Sequence, residues 1–353
     1  MGLCGALEAQ TQTPAETLPP AYFSETTPAW WQPKGELSVE AERIPAVPDP
    51  EGPTATRTRA LLQMGWQPSW RFLEGELAFR SALGSDGNAL NGLRYDQRPS
   101  NGTWLQRAAL RFQMARESGF GSVTLGLQGN PLLSQESLWD HDLALNGLGF
   151  RAAYRNDESD IQEVGIRAVA GRVRTFPDAA ADLVATQAVV RLGIGGLDWT
   201  AHIAHWELRW DAGVHRFLAL PGQEHALRQI QRMDAIGMGL QGQGEWPWEV
   251  RGIHHRNPAT GKTGGELQAW FGARTRPWRP QLGYILQRFA PTGTFMPLYG
   301  DEWWFTQGAR GPRYVLVLPL PKGFRFTLSY LEQTREDYSY PIRRTALSVL
   351  WQF

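Results

Sequence analysis

Residues Phe324–Arg335 read FRFTLSYLEQTR. Phe324, Phe326, Leu328 and Tyr330 share one parity; Arg325, Thr327, Ser329 and Gln333 share the other. Successive side chains of an extended chain point to opposite faces, so this segment has one apolar side and one polar side. A period of 2 selects a strand over a helix. The pattern recurs upstream. In Gly147–Arg155, Leu148, Phe150, Ala152 and Tyr154 oppose Gly149, Arg151, Ala153 and Arg155. In Gly121–Gln128, Val123, Leu125 and Leu127 oppose Ser122, Thr124, Gly126 and Gln128. In Trp104–Arg116, regular alternation sets Trp104, Ala108, Leu110, Phe112 and Met114 against Arg107, Ala109, Arg111 and Gln113. Helical periodicity is weak; its best stretch is His225–Met233, inside a connection.

Extended over the chain, this reading gives about sixteen strands, each near the roughly 9–11 residues that cross a bilayer at a tilt. They fall at 35–44, 59–67, 70–83, 103–116, 120–129, 147–156, 161–174, 184–194, 197–208, 233–244, 248–257, 265–274, 280–290, 313–321, 323–335 and 342–353. Short and long connections alternate. Tight turns include Gly195-Gly196 and Pro321-Lys322-Gly323, whereas 45–58, 84–102, 130–146, 175–183, 209–232, 258–264, 291–312 and 336–341 are longer. Sorting by parity is what a membrane barrel does, with short periplasmic turns and long extracellular loops. The expected fold is therefore all-β: a transmembrane antiparallel up-and-down β-barrel of about sixteen strands, in the bacterial outer membrane.

The last residues, Thr345–Phe353, read TALSVLWQF, with Leu347, Val349, Trp351 and Phe353 on one face. A final strand ending in an aromatic residue resembles the signal read by the bacterial barrel-assembly machinery, which makes Trp351 and Phe353 the expected assembly signal and that machinery a partner. Trp66, Trp70, Trp104, Trp206, Trp246, Trp248, Trp270, Trp278 and Trp351 lie near strand ends. Half-wet rings of this kind form girdles at the headgroup level. Core tryptophans of a soluble β-protein are the alternative.

The 353 residues hold 35 basic and 35 acidic side chains, 38 Gly, 24 Pro and 16 Trp. A balanced charge argues against a nucleic-acid partner. No run of about 18 apolar residues suits a transmembrane helix, which leaves a strand-built membrane protein open. Cys4 is the only cysteine, which excludes a disulfide framework. Residues 1–9 read as the remnant of a signal peptide, with small Ala9 suited to cleavage; an ordinary frayed terminus is the alternative. Residues 10–34, rich in Pro and Thr, read as an extended periplasmic arm, and 35–353 as the barrel.

The segment Asn130–Tyr154, NPLLSQESLWDHDLALNGLGFRAAY, carries Asn130-Pro131, Trp139-Asp140-His141-Asp142 and Gly147-Leu148-Gly149. It resembles a landmark stretch of a bacterial outer-membrane porin family of porin-like β-barrels, in which such residues occupy a long loop and the strand after it. The closing strands from Gly308 to Phe353 have the same look. The match covers about a fifth of the chain. It implies an outer-membrane channel and brings no substrate with it.

Sixteen strands enclose an aqueous channel. The polar faces would line it with Arg107, Arg111, Arg151, Arg155, Arg167, Arg191, Arg251, Arg274 and Arg325, against fewer acids, Glu74, Glu76, Glu249 and Glu266. Arginine rings favour anions. A water-filled pore for small polar solutes or ions, with weak anion or mixed preference, is the expected function. The plainer alternative has these arginines solvating the lumen and pairing with nearby acids. The loop 130–146 is the third long connection and is expected to fold inward, placing Glu136, Asp140 and Asp142 opposite Arg107, Arg111 and Arg151. Partners are then outer-membrane lipid and permeating solutes; a homotrimer is possible.

Other chemistry finds little support. His202 and His205 are three apart, on opposite faces of a strand, and His254 and His255 diverge likewise. Asp140-His141-Asp142 is short of a calcium or zinc ligand set. There is no G-x-S-x-G nucleophile turn and no phosphate loop. No catalytic residue, metal or cofactor is expected. The remaining alternatives are an outer-membrane barrel enzyme of lipase or protease type, and a soluble Trp-rich β-protein that binds carbohydrate.

Overall fold

The computed structural model describes residues 34–44, 55–66, 69–70, 72–84, 102–116, 118–134, 138–139, 143–155, 159–176, 179–210, 230–273, 276–290, 308–335 and 341–352. Among them run seventeen strands in one sheet. In chain order these are β1 (Lys34–Ile44), β2 (Ala55–Trp66), β3 (Ser69–Trp70), β4 (Leu73–Gly84), β5 (Gly102–Arg116), β6 (Gly119–Gln128), β7 (Leu145–Arg155), β8 (Ile161–Phe176) and β9 (Ala179–Ile194). They continue as β10 (Leu197–Trp210), β11 (Ile230–Gly242), β12 (Trp248–Arg256), β13 (Thr263–Phe271), β14 (Gln281–Phe289), β15 (Ala309–Pro319), β16 (Phe324–Arg335) and β17 (Ile342–Gln352). The two-residue β3 is a rung at the turn into β4. The sixteen others correspond one for one to the strands read from the sequence.

Neighbours in sequence pair antiparallel, and β1 pairs with β2 on one side and β17 on the other, from Glu36 opposite Gln352 to Arg43 opposite Thr345. The ring of pairings closes. Closure satisfies every strand's backbone groups without an open edge, which is what a hydrocarbon surrounding demands.

Side chains sort by face as the alternation requires. Leu110, Phe112, Met114, Leu148, Phe150, Val164, Ile166, Ile203, Met238, Leu328, Leu347 and Val349 are all exposed on the outside. Large apolar side chains turned outward in such number cannot be the surface of an ordinary soluble protein. Aromatic contacts brace this exterior: Phe324 stacks on Trp351 at 5.6 Å, Trp246 on Phe271 at 5.8 Å, and Tyr284, Tyr314 and Tyr330 form a cross-strand ladder. Toward the long-connection end the exterior becomes charged. Arg172–Asp182, His205–Asp234 and Glu207–Arg232 pair there at 3.2, 2.6 and 2.9 Å.

The tight β9–β10 hairpin turns on Gly195 and Gly196, at φ 63° and 77°. Two successive positive φ values are the demand of a type I′ turn, and glycine meets it without strain.

Four sequence readings are corrected. The first concerns Trp104. A bulge displaces the register between Ala78 and Phe79, so that Arg107 faces Ala78 and Leu105 faces Phe79. The extra residue is Gln106, and Gln106 and Arg107 are both buried. Leu105 therefore takes the outward place that regular alternation gives to Trp104. The second concerns 175–183, which is not a long link: β8 runs to Phe176 and β9 starts at Ala179. The inner faces of this extended hairpin, Val173, Ala181 and Leu183, are fully buried by packing that the local sequence does not announce. The third concerns His225–Met233, whose part from Ile230 onward is strand; Met233 is buried on its inner face. The fourth concerns Trp206, which is not at a headgroup level. It lies inside the ring, fully buried, 6.2 Å from Trp139. Trp270 also faces inward, its indole N–H donating to Gln268 at 3.0 Å.

Candidate functional site: the inner wall and its loop

The connection between β6 and β7 returns to the inner wall. Leu132, Leu138, Trp139 and Leu143 bury themselves against Val169, Val173, Leu183, Trp206, Leu208 and Met233 of β8–β11. Polar anchors fix the loop backbone. The Gln187 side chain receives the Leu133 N–H at 2.8 Å and donates to the Leu133 carbonyl at 2.7 Å. Arg167 donates to the Pro131 carbonyl at 3.2 Å, and Arg107 to the Leu143 carbonyl at 3.1 Å. Within β8–β11 the apolar half of the wall lies toward the long connections, and the loop covers it. The half nearer the short turns is polar.

That polar half gathers most of the arginines nominated from the sequence. Arg151, Arg155, Arg167 and Arg191 converge on Glu163. Arg111 pairs with Glu74 at 3.3 Å and donates from Nε to Thr124. Arg251 approaches Glu249 at 3.7 Å and forks onto Gln268 at 3.0 and 2.7 Å. Arg325 is half-buried in β16, on the face away from Phe324 and Leu328. Arg107 and Arg167 are buried behind the loop they hold. Arg274, Glu136, Asp140, Asp142 and Phe353 lie outside the described residues, as do residues 1–33, where the sequence reading puts a signal-peptide remnant and nearly all of an extended arm. Trp351 is exposed on the outer face of β17.

Beneath the loop is a polar recess. Leu133 and Ser134 form its roof; Asp198, Thr200, His202, Gln241, Glu249 and Arg251 line it. Asp198 accepts from Gln162 at 3.2 Å and from Gln241 at 2.9 Å. His202 lies over Gly237, where a Cβ would strike the imidazole at 2.1 Å. Among the described residues no group of His, Cys, Asp or Glu suits a metal ion.

The inward acids read from the sequence do not include Glu163 or Asp198, and the loop anchor Gln187 is not among the residues read there either. Glu163 shares a parity with Arg167, and that parity alone marks it as inward. A register shift between Ile161 and Glu163 carries Gln162 inward as well, and that is not legible locally.

The fold places the chain among porin-type β-barrels, and three solved structures carry the likeness. OprB of Pseudomonas putida at high pH superposes with a TM-score of 0.63 at 10% identity, over 91% of this chain and 94% of that one. The low-pH form of OprB gives 0.55 at 10% identity, over 91% and 92%. OmpF of Salmonella typhi, in complex with daunomycin, gives 0.53 at 11% identity, over 91% and 97%. No protein-family model matches the sequence, and no curated protein matches it. The resemblance seen in Asn130–Tyr154 thus stands at the level of the porin-like fold, and no particular family is assigned.

Proposed function

We propose that the chain is a bacterial outer-membrane porin, a passive water-filled channel for small polar solutes or ions. One observation carries this reading: a ring of paired strands with Leu, Ile, Val, Met and Phe exposed outside and Arg, Glu, Gln and Thr on the inner wall. Sixteen strands are enough to leave an aqueous passage. Support for an arginine-lined lumen comes from Arg111, Arg151, Arg155 and Arg251, which are only partly covered on the inner face. Much of their charge meets Glu74, Glu163 and Glu249, which argues for a weak anion or mixed preference. In this reading the loop after β6 narrows the passage, and Glu136, Asp140 and Asp142 oppose the arginines across it. Lipid and the barrel-assembly machinery are its partners, with Trp351 and Phe353 as the assembly signal.

Planar-bilayer recording of the refolded protein tests this. Discrete, nearly ohmic steps with a permeability ratio near unity or favouring anions are expected. Absence of steps overturns the channel, and strong cation preference overturns the arginine-lined lumen.

A further inference from the structure

Glu163 is an outnumbered carboxylate. It is 4% exposed, and Arg151, Arg155, Arg167 and Arg191 approach its oxygens at 3.3, 3.4, 3.6 and 3.7 Å. Strand register brings them together: Arg155, Glu163 and Arg191 lie in one row across β7, β8 and β9, and Arg151 faces Arg167 four residues further along, beyond the small Ala153–Gly165 rung. A carboxylate offers about four lone-pair sites, whereas each guanidinium offers five N–H donors. Among the described residues, four guanidinium groups thus converge on one carboxylate. Arg191 displays the surplus, being 92% buried with Nε and one terminal nitrogen lacking any hydrogen-bond partner.

The cluster also has a floor and an open side. Phe120 of β6 lies under Arg151 and Arg155, 5.4 and 5.5 Å from their guanidinium carbons. A ring face so placed attracts and orients both planes. Arg155, 46% exposed, and Arg151, 17% exposed, reach toward the interior of the ring, while Arg167 and Arg191 supply charge from behind. Rigid planar forks of this kind match the oxygens of a phosphate or a carboxylate.

We propose that this cluster is a binding station for a small oxyanion of the phosphate type, with Glu163 acting as a tethered anion that competes for the same donors. It rests on the channel reading only for the route by which the ligand arrives. The tethered competitor keeps occupancy weak and exchange fast, since conduction needs a site that releases as readily as it captures.

The test is equilibrium binding of inorganic phosphate to the refolded full chain in detergent, paired with bilayer recording in phosphate and in chloride. Saturable phosphate binding is expected in the unaltered protein. Glu163→Gln should tighten it roughly tenfold, and Arg155→Gln should weaken it by a similar factor, the scale of one charge-assisted contact. In bilayers, Glu163→Gln should make the phosphate current saturate at lower concentration. Failure of both the unaltered protein and Glu163→Gln to bind phosphate overturns the station, as does an affinity indifferent to Glu163→Gln. Should Glu163→Gln not fold, Arg155→Gln decides: an unchanged affinity overturns the station. Saturable binding without bilayer current would support the station while refuting the channel. Ohmic phosphate current without binding would do the reverse.

Discussion

Gln187 does the most for the loop with the least side chain. Its amide holds both backbone groups of Leu133, at 2.8 and 2.7 Å, from the middle of β9. Hydrogen bonds of this kind contribute about 0.5–1.5 kcal/mol each, and more when their loss strands a partner away from water. Gln187→Ala is therefore expected to loosen the loop while the ring stays paired. On the channel reading, single-channel conductance and current noise should both rise; unchanged values would mean that the loop does not sit in the ion path. Arg151, Arg155, Arg167 and Arg191 were legible as inward residues from parity alone, because β7, β8 and β9 keep regular alternation where these residues stand. Their convergence on Glu163 was not, because it depends on which rungs of three strands face one another. The acids of the loop, Glu136, Asp140 and Asp142, lie outside the described residues, and their place opposite the arginines remains a proposal.

Strands were the most legible level, because a wall between lipid and water imposes the period on every one of them. The pattern failed where geometry departs from period 2. At Gln106 one extra residue reverses the parity of all that precedes it in β5, so Leu105 faces outward in place of Trp104. At the β8–β9 hairpin, Pro and Asp in the connection suggest an early loop, yet the strands continue to Phe176 and from Ala179 because the inserted loop buries their inner faces. Adjacent positions in β16 test the sidedness. Leu328 is exposed on the apolar side, and Ser329 is half-buried on the other. Leu328→Arg should make folding into vesicles less favourable by about 2–4 kcal/mol, the cost of a cation at mid-bilayer on a barrel's lipid face. Ser329→Arg should cost far less. Equal penalties would mean that both faces meet the same surroundings.

At the scale of the whole molecule, the alternation of short and long connections hinted at a ring, and the pairing of β1 with β17 supplies it. The sequence offers no local sign of that pairing, since Glu36 and Gln352 lie at opposite ends of the barrel portion of the chain. The likeness to OprB and OmpF extends over 91% of the chain at 10–11% identity, so what is shared is the architecture. Cys4 is the only cysteine, so a Cys4→Ser background leaves the chain free of thiols. The most direct test is to place single cysteines along Phe324–Arg335 in that background and expose them, in lipid vesicles, to a charged thiol reagent. Reactivity should alternate with a period of two, with positions 325, 327 and 329 labelled from water and 324, 326 and 328 protected. Uniform labelling, or protection in continuous blocks, would contradict a ring with lipid outside and water within.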